Sequence, residues 1–383
     1  MPKGLFVEPF YGGSHRAFLD GLARHSTHEI ELLTLPEGEW RRRMRRGAQE
    51  LAPLAHDLPG NFDFLIVSDM LDLPAFLALT RPRFEHTPIL AYFHENQMTY
   101  PRLKGTKFNS WFGQINYLTA LSADAVAFNS DFHRHDFLNA LGTLLDQPNN
   151  WLTAEGVAAV RAKSSVLPVG VDFNWLPTPE SALVLPLAQA WETGSRGDGR
   201  TILWNHRWEF DKAPELFART LHHLRDRGVP FRLIVAGEPG DNPNPAITNL
   251  PEQFSNEIVH FGFAPSKQDY ARLLQRSDIV VSTTRHEFFG VGMVEAMAAG
   301  CIPCVPNRYN YPALVPKELH SQLLWEDEAD LYAKLESLLV APLPPAEHLR
   351  SSAQRFAWPH VASAWDAAIR DLVAGGSPGP GAT

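Results

Sequence analysis

The sequence predicts an α/β protein with two doubly wound parallel sheets facing a central cleft, and three observations carry that expectation. Short apolar runs of strand length alternate with amphipathic helical stretches along most of the chain, the pattern of βα repeats that feed a parallel sheet. The series is broken once, in a stretch from Leu176 to Arg200 that is Pro-rich at its start and rich in Gly, Ser and charge at its end, and then begins again. At 383 residues the chain is too long for one ordinary core and long enough for two α/β domains. The expected division is a first domain over residues 1–180, a linker over 181–200, a second domain over 201–357, a helix over 358–373 that crosses back to the first domain, and a disordered tail over 374–383.

In order, Leu5 to Glu8 reads as a strand that runs into Pro9-Phe10-Tyr11-Gly12-Gly13-Ser14-His15-Arg16. Ser14 is an expected N-cap for a helix whose apolar face is Phe18, Leu19 and Leu22. Strand, glycine turn and helix start form an anion-binding geometry, although a first βα loop needs glycine merely to turn tightly. His15 and Arg16 are candidate donors there. Further strands are expected at Glu29–Leu35, Phe64–Ser68, Ile89–Phe93, Ala125–Asn129 and Val166–Val169. Ligands of such sheets sit beyond the carboxyl ends of the strands, which places His94-Glu95-Asn96-Gln97 and Tyr100 for chemistry. Trp111, Gln114 and Asn116 follow on a helix and could line the same cleft, though aromatic residues at helical spacing are commonly core.

In the second half, Thr201–Asn205 reads as a strand, with Arg207 and Lys212 in the loop at its carboxyl end and Pro214 at the first turn of the next helix. Phe231–Ala236 is a strand ending at Gly237, followed by a Pro- and Asn-rich loop that reads as structureless through Asn256. Ile258–Phe261 is a strand, and Ser266 caps the next helix. The stretch from Val281 to Pro306 is the most informative. A buried strand from Ile279 leads into a polar turn, then a Gly-punctuated helix start at Phe289-Gly290-Val291-Gly292, and a strand at Ile302–Val305. Glu287 and Glu295, with seven residues between them, bracket that helix start. A pair at this spacing cannot share one helical turn; it flanks a site where free backbone N–H groups favour an anion. Each carboxylate can then accept hydrogen bonds from hydroxyls on either side of a diphosphate.

Composition narrows the function. The net charge of −9 argues against coating nucleic acid nonspecifically. The exception is a run of arginines, Arg41, Arg42, Arg43, Arg45 and Arg46, readable either as a solvated helix face or as a contact for a polyanion. No apolar run is long enough to cross a bilayer, and the start MPKGLFVEPF has no cleavage pattern, so a cytoplasmic protein is expected. Two cysteines, Cys301 and Cys304, lack the partners of a zinc site and fall where a helix ends and a buried strand begins; they are expected in the core. His133 and His135 lie two apart on a helix, so they face different sides, and a solvated helix is expected.

The residues also carry a resemblance. Gly12-Gly13, Arg207 and Lys212 with four residues between them, and the acidic pair in EFFGVGMVE are similar to the family 4 retaining glycosyltransferases of GT-B fold. VEPFYGGSHRAFLDGL, YFHENQMTYP, QINYLTALSADAVAFNS and NHRWEFDKAPELF resemble more closely the tRNA-queuosine mannosyltransferases. The resemblance covers the chain from Leu5 to about Trp365 and is thin in the linker and after Gly237. It implies transfer of mannose from GDP-mannose to queuosine in the anticodon loop of a tRNA (tRNA-Asp), with retention and without a metal or other cofactor. It further implies that Gly12, Gly13, Gly237 and the Phe289–Gly292 backbone approach the donor, that Arg207 and Lys212 neutralise its diphosphate, and that Glu295 holds the ribose. Glu287 would contact the transferred sugar and His94 the reacting carbon. His15, Arg16, the five arginines, Asn96, Gln97, Tyr100 and Gln114 are candidates for the tRNA side. Two positions depart from the general family 4 pattern: His206 stands where a glycine usually precedes the arginine, and Ala213 where a glycine often follows the lysine. A family 4 enzyme acting on a lipid-linked or soluble glycan, and a nucleotide-sugar-binding protein without catalysis, are the alternatives. Retention of all four charged residues favours an enzyme over the latter.

Overall fold

A computed structural model describes residues 1–101, 110–176, 199–240 and 244–375. Most of the expected linker (181–200) and the expected tail from residue 376 lie outside the described residues. The chain forms two compact units, the first running from Met1 to Val171 with Pro101 set apart and resuming at Phe356, the second running from Asp172 to Arg355. Asp172 to Leu176 thus group with the second unit rather than with the first domain, where the sequence reading put them.

The first unit is a six-stranded sheet in the order β2-β1-β3-β4-β5-β6, with β1 Lys3–Tyr11, β2 Glu29–Pro36, β3 Phe64–Ser68, β4 Ile89–Phe93, β5 Ala125–Phe128 and β6 Ser164–Val166. All its pairings are parallel. Helices α1 Gly13–His25, α2 Trp40–Asp57, α3 Leu73–Leu79, α4 Ser110–Ser122, α5 Asp131–Leu145 and α6 Ala154–Ala162 connect the strands. Both sheet faces are covered, as parallel sheets require. Leu5, Val7, Leu65, Val67, Ala91, Phe93, Val126 and Phe128 join the core on one side. On the other, Phe18 of α1 stacks on Tyr92 at 4.9 Å, and Trp365 meets Tyr92 edge-on at 4.7 Å. Trp365 belongs to the last helix, Trp358–Val373, which packs on α1.

The second unit repeats the plan in the order β12-β11-β10-β7-β8-β9, again all parallel. Its strands are β7 Arg200–Trp204, β8 Phe231–Ala236, β9 Ile258–Gly262, β10 Ile279–Val281, β11 Ile302–Pro306 and β12 Leu324–Trp325. The helices that place its functional loops are α7 Pro214–Asp226, α8 Pro245–Thr248, α9 Leu250–Gln253, α10 Lys267–Gln275 and α11 Val291–Ala299. They are followed by α12 Tyr311–Leu314, α13 His320–Leu323, α14 Glu328–Val340 and α15 Ala346–Gln354, and the chain ends in α16 Trp358–Val373 of the first unit.

Several local expectations are corrected. β1 is longer than read, because Tyr11 still pairs with Pro36 beyond an irregularity after Glu8. Gly12, not Ser14, is the N-cap of α1, so the helix begins earlier than expected and without a side-chain cap. β6 lies at Ser164–Val166, ahead of the span expected at Val166–Val169. The loop read as structureless through Asn256 contains α8 and α9, each opened by a proline in its first turn, with Asn244 capping the first. His133 is fully buried against Phe128, with Nδ1 3.0 Å from Asn129 Oδ1, so that face of α5 is core rather than solvated. Both cysteines are buried and free, with their thiols pushed up to about 12 by burial.

Candidate active site

The candidate residues of the first unit stand at the carboxyl ends of β1, β3 and β4. Glu8 follows Phe6 on the inward face of β1 and is fully buried, although carboxylates are rarely buried without partners. It has them: Oε1 accepts from the Phe10 backbone N–H at 2.9 Å and from Ser68 Oγ at 3.0 Å, while Oε2 lies 3.0 Å from Nδ1 of His15. Burial alone would strip the proton from His15, but Glu8, helped by Asp69 and Glu95, outweighs it and raises the imidazole to about 9. The His15 ring lies 4.2 Å from the ring of His94 at 37°. His94 is further enclosed edge-on by Phe18 at 4.9 Å and Tyr92 at 4.8 Å, and its backbone N–H donates to Asp69 Oδ1 at 2.8 Å. Burial first, then the neighbouring His15 and His133, hold His94 well below its ordinary range, so it is neutral. Nε2 of His94 is buried without a hydrogen-bond partner. Glu8, His15 and His94 bring ligand-type atoms within 4.8 Å of one another, and the Glu8–His15 hydrogen bond puts a proton between two of them.

Gly12 and Gly13 serve the turn before α1. A Cβ on Gly12 would sit 2.1 Å from the Glu37 carboxylate, and Gly13 has φ +51°, which favours glycine. Arg16 lies on the same helix start, 3.6 Å from Asp20 and 5.5 Å from the Tyr11 ring centre. The turn after β4 is internally organised: Asn96 is buried and its Oδ1 accepts from the backbone N–H groups of Met98 and Thr99, each at 3.0 Å. The Gln97 backbone N–H donates to Asn116 Oδ1 at 2.6 Å, and its side chain to Glu95 at 2.7 Å. Tyr100 and Gln114 are half-buried. The arginine run lies on α2. Arg41 stacks over Trp40 at 4.5 Å and Arg45 over Phe112 at 5.1 Å, and Arg41, Arg42, Arg45 and Arg46 are exposed. Arg43 is only 14% exposed and pairs with Glu50 at 2.9 Å.

In the second unit the loop after β7 and the loop after β10 are laced together. The Arg285 backbone N–H donates to Asp211 O at 2.7 Å, Thr283 Oγ1 to Lys212 O at 2.8 Å, and Thr284 Oγ1 to Asp211 O at 3.0 Å. This lacing sets Lys212 between two carboxylates, 3.0 Å from Asp211 and 3.5 Å from Glu287. Burial pulls the Lys212 ammonium down, but Glu287 and Asp211 outweigh it, and its proton affinity rises. The chain can leave Lys212 only through Ala213 at φ +47°, ψ +56°, which explains why glycine is common there in the general pattern. His206, the other departure, is pushed down to about 3 by burial and by Lys212 and is neutral, so it adds no charge beside the cations. Arg207 is 60% exposed and lies 3.3 Å from Glu209.

Gly290 takes φ +99° and opens α11. Phe289 is buried, with its carbonyl accepting from Asn310 Nδ2 at 2.8 Å, and Val291 is half-buried. Gly292 packs on Asn205: its carbonyl accepts from Asn205 Nδ2 at 2.9 Å, and that amide also donates to the Tyr270 hydroxyl at 2.8 Å. Burial pushes Glu295 up to about 7, against the opposing pulls of a Tyr270 hydrogen bond and Lys267. A Cβ on Gly237 would lie 1.9 Å from His206 O, so the end of β8 and the β7 loop approach at a distance only glycine allows.

The structure therefore joins Lys212 with Glu287, His15 with His94, and Glu295 with the Asn205–Tyr270 pair, and it places the arginine run on α2. Sequence reasoning missed Glu8, Asp69 and Asp211. A signal existed for the first, since a lone carboxylate directly after the apolar run Leu5-Phe6-Val7 must be there for its charge.

The two sheet-and-helix units match solved structures across nearly their whole length. Sucrose-phosphate synthase from Thermosynechococcus elongatus superposes with a TM-score of 0.67 at 13% identity, covering 97% of this chain and 99% of the other. Anabaena Alr3699/HepE in complex with UDP superposes with a TM-score of 0.63 at 16% identity, covering 96% and 100%. The fold is GT-B, and residues 199–340 match the family described as glycosyl transferases group 1, so the chain is a glycosyltransferase. Residues 3–171 match the tRNA-queuosine alpha-mannosyltransferase N-terminal family. The tRNA-queuosine alpha-mannosyltransferase of Drosophila melanogaster is 34% identical over 322 residues, 83% of this chain and 82% of the relative, and the chain belongs to that family. A shorter match, 35% over 115 residues and 30% of each chain, is to GDP-mannose:cellobiosyl-diphosphopolyprenol alpha-mannosyltransferase of Xanthomonas campestris.

Proposed function

We propose that the protein transfers mannose from GDP-mannose to queuosine in tRNA with retention at the anomeric carbon. The kinship to a tRNA-queuosine enzyme over most of the chain carries this reading, and the second unit supplies a matching donor chemistry. Departure of a nucleoside diphosphate builds negative charge on its phosphates, and Lys212, Arg207 and the N–H groups at the start of α11 answer it without reorganising. Lys212 is already held in place by Asp211 and Glu287, so little entropy is lost when the donor binds. Glu287 is assigned to the sugar hydroxyls, Glu295 to the ribose, and Gly237 with Phe289 to Gly292 to close backbone approach. In the first unit, Gly12 and Gly13 are assigned to donor contact and His94 to the reacting carbon. Same-face attack, with a donor phosphate oxygen taking the acceptor's proton, needs no protein nucleophile. Protein cations meet the charge in this reading, so transfer should proceed unchanged in excess chelator.

The tRNA side is assigned to Arg41, Arg42, Arg45 and Arg46 of α2, which are exposed, with Arg41 lying over the ring of Trp40 and Arg45 over that of Phe112. Arg43 is set aside because it is the covered member of the run, 14% exposed and 2.9 Å from Glu50, and His15 and Arg16 at the start of α1 are further candidates for the tRNA side. Phosphate contacts by these arginines predict a binding slope against log salt that drops by about one for each arginine removed.

The deciding experiment incubates the enzyme with queuosine-containing and queuosine-free tRNA and a panel of nucleotide sugars, then reads the nucleosides by mass spectrometry. The expected product is a hexosylated queuosine formed only with GDP-mannose and queuosine-containing tRNA. Equal labelling of queuosine-free tRNA, or transfer from a different nucleotide sugar alone, would overturn the reading.

A further inference from the structure

Same-face transfer employs His94 but gives no task to the buried carboxylate of Glu8. Its position is costly: it is fully enclosed, with its charge met by Phe10, Ser68 and His15. Two imidazoles, those of His15 and His94, then lie against each other with centres 4.2 Å apart. Rings this close cannot both be cationic in a buried setting, so the pair holds at most one extra proton, which could sit on either ring. Of the two rings, Glu8 hydrogen-bonds His15.

We propose that Glu8 is a positioning residue that assigns the shared proton to His15, so that His94 meets the substrate as a neutral ring. This rests on the reading that His94 faces the reacting carbon. A glycosyl transition state is oxocarbenium-like, and a cationic ring beside it would oppose the charge that develops there. A neutral imidazole can still donate or accept one hydrogen bond with a sugar hydroxyl. The remaining groups around the pair do not undo the assignment. Asp69 after β3 and Glu95 after β4 both favour the charge on His15, and His133 of α5 disfavours it on His94. Asp69 is itself held above the usual carboxylate range by burial and by Glu95, and Tyr92 presents only its ring edge to His94.

The test begins with the wild-type enzyme, so it does not depend on a variant folding. Histidine-selective isotope labelling and NMR titration should show His15 losing its proton near pH 9 and His94 staying neutral well below the ordinary histidine range; a His15 that titrates near its ordinary value would overturn the proposal. In Glu8→Gln burial is no longer opposed by the adjacent carboxylate, so the His15 titration should fall well below pH 9, and the proton taken up on acidification should be shared by both rings. The acid limb of its pH profile should therefore move up relative to wild type, with kcat on that limb lower by about tenfold or more and little change in KM for GDP-mannose. A Glu8→Gln enzyme with the wild-type profile and kcat would also overturn it. His94→Ala separates the two claims: if that variant keeps full turnover, the placement of His94 at the reacting carbon fails, whereas the NMR result still reports where the proton resides.

Discussion

Glu295→Gln is expected to make the second unit more stable and the enzyme worse, and the size of the first effect follows from the structure. The Glu295 carboxyl is raised from an ordinary 4.5 to about 7, chiefly by burial. A carboxylate shifted upward is protonated in the folded state over a range where the unfolded chain has already released the proton. Stability therefore falls as pH rises from 4.5 to 7, and the whole cost stands above 7. At about 1.4 kcal/mol per pH unit, this comes to about 3 kcal/mol. That is an upper bound, because the residue is only half-buried. Glutamine keeps the shape and can still meet the Tyr270 hydroxyl, but carries no charge to bury. Urea unfolding of wild type and variant at about pH 5 and pH 8, read on the second unit's transition, should show nearly equal midpoints at the lower pH. At the higher pH the variant's midpoint should be higher by up to about 1.5 M, for a slope of about 2 kcal/mol/M. In the proposed assignment the same proton governs function: ionised Glu295 would accept the ribose hydroxyls, so wild-type affinity for GDP-mannose should climb as pH passes about 7 while the variant's stays weak and flat. An equal stability gap at both pH values would refute the reasoning.

Other perturbations have equally definite outcomes. Lys212→Ala should lower kcat/KM by about 10²- to 10³-fold in steady-state assays, the scale of losing one preorganised charge at a developing anion. Ala213→Gly should raise stability by about 1 kcal/mol, since alanine there sits at φ +47°; a calorimetric Tm that fell would show that the conformation is not a burden. Gly237→Ala, with a Cβ placed 1.9 Å from a carbonyl oxygen, should leave the second unit poorly folded by circular dichroism and protease resistance. Asp366→Ala should destabilise the first unit by about 3 kcal/mol in denaturant titration, because its carboxylate accepts from Ser26 Oγ at 2.6 Å and from both the backbone and hydroxyl of Thr27. These bonds overcome burial and lower the Asp366 carboxyl, so its contribution is present above the ordinary 3.8 and vanishes as the medium is acidified below it.

Periodicity revealed strands and helices because parallel sheets buried on both faces leave unbroken apolar runs such as Phe64–Ser68 and Ile89–Phe93. It failed where packing rather than pattern decides. β12 has two residues, and α12 and α13 have four each, too short to show a period. His133 looked solvated beside Arg134, yet its ring fills space under Phe128. In the candidate site, glycines and paired charges were legible, since few other residues fit a backbone turn or a diphosphate. The roles of Asp211 and Glu8 were not, because only the fold brings Glu287 to the neighbouring pair Asp211 and Lys212, and because Glu8 is itself hidden in a strand that reads as apolar: Asp211 pairs with Lys212 beside Glu287, and Glu8 holds His15. Ala213 shows a third case: a residue other than glycine takes a left-handed conformation at φ +47°, and the cost appears as backbone strain.

The first unit is not complete when Val171 is made. Val171 pairs with the backbone of Phe356 and Trp358, at 2.8 Å and 3.3 Å, and Trp358 and Trp365 close the aromatic layer over Phe18. A chain leaving the ribosome must therefore expose Phe18 and Tyr92 until its last helix emerges, while every strand of the second unit is already available to fold. Synthesis order and folding order are then inverted, with the later unit finishing first. A nascent chain arrested before Trp358 should yield a protease-resistant second unit and a first unit that is still digested.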